Sequence, residues 1–352
     1  MSSFGERSRR WPGVLALALV LPLAGCATDS GRPDAAPPSS GSSATSGDTG
    51  GDTGGGTGTG TAAPGTREQL RVDGDVRQYL LHRPASTPAS SAADGPRPLV
   101  VAFHGRGADA AELRAKTRLE KAATARGMLV AFPEGLGHGW GAGTRATKQR
   151  PDPERDVRFT EALVEHLVRT ERADPERVYV AGFSNGGSMA LRVAAERPGL
   201  LAGAASVSGQ LPTGDAAVEP TGPVPVMVVY GADDPVRPLA GLPSPPPDPE
   251  EPILPTRSAR DTAAAFAAAG GAGEPVTREE EGYDRTVWRF GTGAPGGARR
   301  PDGTVRLLVV EDAGHTWPGS TVPPPEGFGP VSKALDATDT ILDFFADPGP
   351  GR

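Results

Sequence analysis

The segment "VYVAGFSNGGSMALRV", residues Val178–Val193, changes character at its centre. Val178–Ala181 is an apolar run typical of a buried strand, and Met189–Val193 has the composition of a helix. The sequence "GFSNGG" between them is too short and too rich in glycine for either element. A serine at a sharp turn between a strand and a helix projects its hydroxyl into a cleft. The segment therefore predicts an accessible nucleophile, Ser184, at the end of a strand.

Apolar strands alternate with helices along the rest of the chain. The predicted strands are a hairpin at Glu68–Pro84 turning at Asp73-Gly74, then Pro98–Gly105, Met128–Gly135, Arg177–Gly182, Pro223–Gly231 and Val305–Gly314. The predicted helices are Ala110–Arg126, Asp156–Thr170, Asn185–Arg197, about Arg257–Ala269, and Val331–Phe345. This alternation predicts a single α/β domain, with a mostly parallel central sheet and helices on both faces. Right-handed crossovers then bring the carboxyl ends of the parallel strands to one edge, where ligands bind.

A serine hydroxyl is a weak nucleophile unless a neighbouring base accepts its proton. Of the five histidines, only His315 follows Ser184 in the chain, and it comes directly after a strand and a glycine. His82 and His166 are expected to pack or to lie on the surface. His104 is expected to be a structural member of its loop. The sequence therefore predicts His315 as the base.

The histidine needs a carboxylate that holds its tautomer and stabilises its cation. The segment "VYGADDPVRP" ends a strand with two candidates, Asp233 and Asp234. An acid between the serine and the histidine is the chain order of α/β-hydrolases. Spacing alone leaves both aspartates open.

An oxyanion that forms beside the serine needs two hydrogen-bond donors. The backbone N–H of Asn185, at the start of the helix after the serine, is one candidate. The other is the backbone N–H of Arg106 in "FHGRGADA", where glycines let the backbone approach a substrate.

Five motifs carry a resemblance to a known family. "HGRGADA", "FPEGLGHGWGAG", "GFSNGG", "GADDPVRP" and "GHTWPG" resemble, in this order, motifs of the poly(3-hydroxybutyrate) depolymerase and feruloyl esterase family of α/β-hydrolases. The match runs from about Arg71 to Phe345. The resemblance implies Asp234 as the acid and Arg106 as the second oxyanion donor. It also implies that Trp140 and Trp317 lie near the substrate.

The chain departs from that family in three ways. Leu239 stands where the family often has a tyrosine, and a proline-rich segment, Gly241–Pro255, follows as an expected surface excursion near the site. The cysteines that secreted members pair are absent, and no separate polymer-binding domain is expected to follow. These departures favour a small or soluble ester over a crystalline polyester.

The expected function is therefore that of a serine carboxylic-ester hydrolase acting through Ser184, Asp234 and His315 on an extracellular small-molecule or oligomeric ester. Neither a cofactor nor a metal is expected. One alternative is acyl transfer to a cell-envelope sugar, which uses the same site. The other is a binding module on a catalytically inactive hydrolase fold.

The N-terminus has the features of an exported lipoprotein. Three arginines precede a short apolar run, Val14–Leu21, and the small residues before Cys26 resemble a lipobox. We expect residues 1–25 to be a signal peptide and residues 26–66 a lipidated Cys26 with a disordered tether rich in Gly, Ser, Thr and Pro. Residues 67–348 are then a catalytic domain held at the outer face of the cytoplasmic membrane. With a net charge of −7 and no basic stripe, nucleic acid is excluded as a partner.

Overall fold

Ten strands form one sheet in the described part of the chain. The computed structural model describes residues 65–85, 95–245, 253–291 and 303–346, all within the compact unit Gly58–Arg352. The strands are β1 Thr66–Val72, β2 Asp75–His82, β3 Arg97–Phe103, β4 Leu129–Pro133, β5 Ala173–Phe183, β6 Gly203–Val207, β7 Val226–Gly231, β8 Val276–Glu280, β9 Tyr283–Phe290 and β10 Gly303–Val310. The α-helices are α1 Ala110–Thr117, α2 Leu119–Ala125, α3 Arg155–Glu171, α4 Asn185–Glu196, α5 Ala259–Ala269 and α6 Ala337–Ala346.

The strand order across the sheet is β1-β2-β4-β3-β5-β6-β7-β10-β9-β8. The central strands β4, β3, β5, β6, β7 and β10 are parallel to one another. The hairpins β1–β2 and β8–β9 extend the two edges with antiparallel pairs. The prediction of a mostly parallel sheet is therefore confirmed.

Helices cover both faces of the sheet. The inner sides of α3, α4 and α5 join one apolar cluster, to which β3 contributes Val101 and Phe103. The inner sides of α1, α2 and α6 join a second cluster, to which β3 contributes Val100 and Ala102. Because successive strand residues point to opposite faces, a strand buried on both faces is apolar throughout. This explains why the parallel strands could be recognised as continuous apolar runs.

One predicted helix, Ala110–Arg126, is interrupted. Arg118 adopts a left-handed conformation with φ 50° and separates α1 from α2. The Thr117 hydroxyl donates to the Leu113 carbonyl and accepts from the Leu119 amide, so this side chain closes the first helix and opens the second. The apolar period continues across the break because both helices pack on the same face of the sheet. The pattern therefore predicted one helix where there are two.

Four further elements differ from the sequence predictions. Strand β6 and the hairpin β8–β9 were not predicted, because β6 consists mainly of small residues and all of β8 is exposed. Helix α6 begins at Ala337 and not at Val331. The Asp336 carboxylate accepts hydrogen bonds from the amides of Thr338 and Asp339, which fixes this start.

The N-terminal predictions concern residues that the structure does not describe. The signal peptide, Cys26 and the tether up to residue 64 lie outside the described residues, so these domain limits stay predictions. Within the described ranges, no helix combines the length and apolarity needed to cross a bilayer.

Candidate active site

Ser184 occupies a strained turn between β5 and α4. Its backbone has φ 56° and ψ −116°, a combination that costs energy for a residue with a side chain. A Cβ atom on Gly182 would lie 2.1 Å from the Gly186 carbonyl oxygen, and one on Gly186 would lie 2.2 Å from the Phe103 carbonyl oxygen. Neither position therefore accepts a side chain, as the elbow interpretation requires. The turn leaves Ser184 partly exposed.

A continuous hydrogen-bonded chain joins the predicted nucleophile, base and acid. Nε2 of His315 lies 2.8 Å from Oγ of Ser184, and Nδ1 of His315 lies 2.8 Å from Oδ2 of Asp234. His315 and Asp234 are only 3% and 5% exposed, so substrate meets the serine first. The three residues follow β5, β7 and β10, whose carboxyl ends meet at one edge of the sheet.

The aspartate fixes the tautomer of His315. Oδ1 of Asp234 accepts the backbone N–H groups of Val236 and Arg237, which leaves Oδ2 to face the imidazole. A carboxylate accepts hydrogen bonds, so the proton of the neutral ring lies on Nδ1 and Nε2 is free to accept from Ser184. Asp233 is exposed. Of the two aspartates that spacing left open, the structure therefore brings to the histidine Asp234, the one that the resemblance implies.

Two aromatic rings hold the imidazole of His315. Phe328 stacks on it with 5.2 Å between ring centroids, and Phe183 approaches it at 5.1 Å. The His315 amide donates to the Phe328 carbonyl. A Cβ on the preceding residue, Gly314, would lie 2.1 Å from that same carbonyl oxygen. This close approach accounts for the glycine in "GHTWPG".

The predicted oxyanion donors lie on two neighbouring segments. Asn185 is the first residue of α4, where backbone N–H groups point out of the helix. Arg106 follows β3 and lines the same space as Ser184. The preceding Gly105 approaches the elbow so closely that its Cβ would be 3.6 Å from that of Ser184. The structure therefore places both predicted residues beside the serine, and their role as oxyanion donors stays a prediction.

Two cavities meet at Ser184. The arginine-lined cavity has a volume of about 250 Å³, and the proline-lined cavity has one of about 430 Å³. The arginine-lined cavity is defined by Arg106, Arg145, Arg150, Arg237, Gln210 and Leu254, and the proline-lined cavity by Lys116, Phe183, Trp317, Pro323, Pro324 and Pro325. Both include Ser184 and His315. An ester bond at the serine thus has separate space for its two halves.

The sequence is similar to esterases over nearly its whole length. It is 40% identical over 345 residues to "Putative esterase NocK" of Nocardia uniformis subsp. tsuyamanensis, a match that covers 94% of this chain and 96% of that protein. The chain belongs to this esterase family of α/β-hydrolases. A family model described as Phospholipase/Carboxylesterase also matches residues 89–242. The protein is therefore a carboxylesterase-type hydrolase.

Two more distant similarities accompany this match. "Feruloyl esterase B" of Piromyces equi is 27% identical over 154 residues, which cover 42% of this chain and 28% of that protein. The solved structure of an acetyl xylan esterase from Aspergillus awamori superposes with a TM-score of 0.51 at 16% identity, covering 80% of this chain and 99% of that one. The second similarity concerns the fold alone.

His104 and Trp140 join the loops around the serine of this esterase. Nε2 of His104 accepts from the Gly135 amide, so its proton lies on Nδ1, which donates to the Gly105 carbonyl. The indole N–H of Trp140 donates to the His104 carbonyl. The Asn185 side chain accepts from the amide of Trp140 and donates to its carbonyl, a role that the sequence did not reveal. His104 is thus structural, as expected.

Both predicted substrate-binding tryptophans are almost completely buried. Trp140 is 2% exposed and borders the arginine-lined cavity. Trp317 is also 2% exposed and borders the proline-lined cavity, while its indole N–H donates to Thr338. Both indole N–H groups are therefore committed to the fold. Their contact with substrate stays a prediction.

Two buried arginines hold the wall of the arginine-lined cavity. Nη1 of Arg192, which is fully buried, donates to the carbonyls of Gly141, Gly143 and Pro153. Arg77 forms a buried ion pair with Asp156, whose other oxygen accepts the Gly141 amide. The wall has no regular secondary structure, so these side chains supply the hydrogen bonds that its buried backbone groups need. The sequence contained no signal for these wall contacts, because they join the two arginines to distant backbone carbonyls and to a side chain of a distant helix.

The ends of the proline-rich segment reach the same cavity. Leu242, Ile253, Leu254 and Thr256 line it, and Thr256 pairs with Leu242 through backbone hydrogen bonds. Residues 246–252 lie outside the described residues. The described ends thus agree with the expectation of a segment near the site.

Proposed function

We propose that this esterase hydrolyses carboxylic esters through an acyl-enzyme formed on Ser184. The observation that carries the proposal is the contact of 2.8 Å between Oγ of Ser184 and Nε2 of His315, a ring whose Nδ1 faces Asp234. A serine becomes nucleophilic at neutral pH when such a base takes its proton.

The reaction follows from these contacts. Oγ of Ser184 attacks the ester carbonyl carbon while its proton passes to Nε2 of His315. The negative carbonyl oxygen accepts hydrogen bonds from the amides of Arg106 and Asn185. As the tetrahedral intermediate collapses, the C–O bond breaks and the imidazolium gives its proton to the leaving alkoxide. Water then attacks the acyl-enzyme with His315 again as the base, which releases the acid and restores the serine.

The proposed substrates are small or oligomeric esters outside the cell, of the hydroxyalkanoate or aromatic type. The five motifs that resemble the poly(3-hydroxybutyrate) depolymerase and feruloyl esterase family support this choice, as does the similarity to a feruloyl esterase. Cavities of about 250 and 430 Å³ suit single acyl and alcohol groups of modest size.

Hydrolysis combined with covalent labelling tests this proposal. We expect turnover of p-nitrophenyl butyrate and of methyl ferulate, and stoichiometric inactivation by a fluorophosphonate. Mass spectrometry should find the phosphonyl adduct on the peptide that contains Ser184. Hydrolysis without an adduct at Ser184 would exclude this serine as the nucleophile. Inertness towards every ester and the label would contradict the proposed activity altogether.

The rate should depend on pH through His315, which acts in its neutral form. Burial lowers the pKa of His315, nearby Arg237 and Lys116 lower it further, and Asp234 opposes this shift. Activity is lost as pH falls through that pKa, so the acid limb of kcat/KM is expected below the ordinary histidine value of 6.5. A pH profile of kcat/KM measures this directly. An acid limb at or above pH 6.5 would contradict the expectation.

We also propose that the protein is an exported lipoprotein anchored through Cys26. The basic segment, the apolar run and the small residues before Cys26 support this proposal. The variant C26A should move the protein from the membrane fraction to the soluble fraction of its host. Equal membrane association of both forms would contradict lipid anchoring at this residue.

A further inference from the structure

The arginine-lined cavity is strongly one-sided in charge. Its charged lining residues are Arg106, Arg145, Arg150 and Arg237, and the described lining contains no aspartate or glutamate. The whole chain, in contrast, has a net charge of −7. A cavity with one sign of charge and partly apolar walls concentrates ligands of the opposite charge.

Two of these arginines are paired with carboxylates of the protein. Nη1 of Arg145 lies 3.0 Å from Asp215, and Nη1 of Arg150 lies 3.5 Å from Asp156. Arg237 has no carboxylate within 4.0 Å in the described part of the chain. Its guanidinium makes one hydrogen bond there, from Nη1 to Oγ of Ser188 at 2.8 Å. A guanidinium has five N–H donors, so most of its donors have no protein acceptor among the described residues.

The contact with Ser188 fixes the position of the guanidinium. Oγ of Ser188 donates to the Gln210 carbonyl, and the Gln210 amide donates to Oγ. The Gln210 side chain is held in turn by the Pro238 carbonyl and by the Thr256 hydroxyl. Arg237 thus rests on a buried hydrogen-bonded network and not on a mobile surface group.

The guanidinium lies near the reacting atoms. Ser188 is four residues after Ser184 on α4, which corresponds to about 6 Å along the helix. The positive charge of Arg237 is close enough to lower the pKa of His315. Asp234 cannot form an ion pair with Arg237 without losing a hydrogen bond that it already makes. Its Oδ2 faces His315, and its Oδ1 accepts from two backbone amides.

A partly buried cation without an anionic partner is unfavourable. Burial lowers the pKa of Arg237, but a guanidinium is so strong a base that it stays protonated at neutral pH. A carboxylate that enters the cavity would offset the desolvation of this charge and accept two parallel N–H···O bonds.

We propose that Arg237 binds a carboxylate of the substrate, so that the esterase prefers esters bearing an anionic group a few bonds from the scissile carbonyl. This inference rests on the proposed function of Ser184. It assigns a substrate class to the arginine-lined cavity, namely esters of a dicarboxylic acid or of an alcohol that carries a carboxylate. From the usual strength of hydrogen bonds to charged groups, we expect kcat/KM to be about tenfold to a hundredfold higher for the anionic ester than for its neutral counterpart.

Two pairs of substrates test the proposal on the full chain. Mono-p-nitrophenyl adipate and its primary amide differ in charge on the acyl side, while 4-acetoxybenzoate and 4-acetoxybenzamide differ in charge on the alcohol side. We expect the anionic member of at least one pair to have the higher kcat/KM, and the successful pair identifies the half of the ester that faces Arg237. The preference should shrink to about one in R237Q and survive in part in R237K.

The variant R169Q is the matched control, because it removes one positive charge from an exposed position on α3. Its charge preference should equal that of the unaltered protein. A ratio near one in both pairs for the unaltered protein would overturn the proposal, even if R237Q failed to fold. A preference that survives in R237Q would overturn it equally. If neither the anionic nor the neutral member of either pair is hydrolysed, the proposed function fails, and this result is distinct from hydrolysis without charge preference.

Discussion

Replacing Ser184 with alanine should lower kcat/KM for p-nitrophenyl butyrate by about 10⁴-fold to 10⁶-fold. Alanine removes the atom that forms the acyl bond, and water has no other activated route to the carbonyl carbon. The amides of Arg106 and Asn185 remain, so a small residual rate above the uncatalysed reaction is expected. Steady-state kinetics at enzyme concentrations high enough to detect this residual rate would measure the loss in kcat/KM.

The same substitution should leave the fold unchanged. In the described structure the only hydrogen bond of the Ser184 hydroxyl is to His315, whose ring stays held by Phe183 and Phe328. Equal urea midpoints of the variant and the unaltered protein would separate loss of chemistry from loss of structure.

Ser208 provides a matched control. It follows β6, is fully buried and also has a positive φ, 54°, but its hydroxyl has no hydrogen-bond partner in the described structure. The variant S208A should therefore retain activity. Comparable losses in S184A and S208A would indicate that a general disturbance of this sheet edge, and not the missing nucleophile, causes the effect.

The sequence was sufficient to predict the serine elbow because its requirements are local. A strand, two glycines and a helix within sixteen residues specify the turn. A Cβ atom on Gly182 or on Gly186 would clash with backbone atoms. The parallel strands were predictable for a related reason, since burial on both faces makes them apolar at every position. Local rules also explain the errors, because the break at Arg118 interrupts a pattern that is otherwise continuous.

Spacing alone did not choose between Asp233 and Asp234; the family resemblance implied Asp234, and the structure gives the physical reason. The two residues are adjacent, and the selection depends on which carboxylate faces a histidine 81 residues further along the chain. The importance of Arg237 was equally hidden, since it depends on which acidic side chains among the described residues do not reach the cavity. Composition cannot express such an absence, and neither can the spacing of motifs.

Replacing Asp234 with asparagine should lower kcat by about 10³-fold to 10⁴-fold, although the two side chains have the same shape. The reason lies in the hydrogen bonds of the carboxylate. Oδ1 accepts from the amides of Val236 and Arg237, so the asparagine must keep its carbonyl oxygen there and turn its NH₂ group towards His315. The NH₂ group can only donate, which forces Nδ1 of the neutral ring to accept.

This reversal moves the ring proton to Nε2, the atom that must accept the proton of Ser184. The histidine then no longer acts as a base, and the asparagine no longer carries the negative charge that stabilises the imidazolium. Both effects act on kcat, while the cavities that bind the ester are unchanged, so KM should change much less. A large rise in KM with kcat preserved would contradict this account.

The variant D233N separates the role of the Asp234 carboxylate from a general effect of negative charge near His315. Asp233 is adjacent in sequence and carries the same charge, but it is exposed, so its replacement should change kcat by less than about threefold. Nitrogen NMR of the His315 imidazole reports which ring nitrogen carries the proton. A purely structural role of Asp234 would not change that position. We expect the proton on Nδ1 in the unaltered protein and in D233N, and on Nε2 in D234N. An unchanged tautomer in D234N, together with a large loss of activity, would require a function for Asp234 other than orientation of the ring.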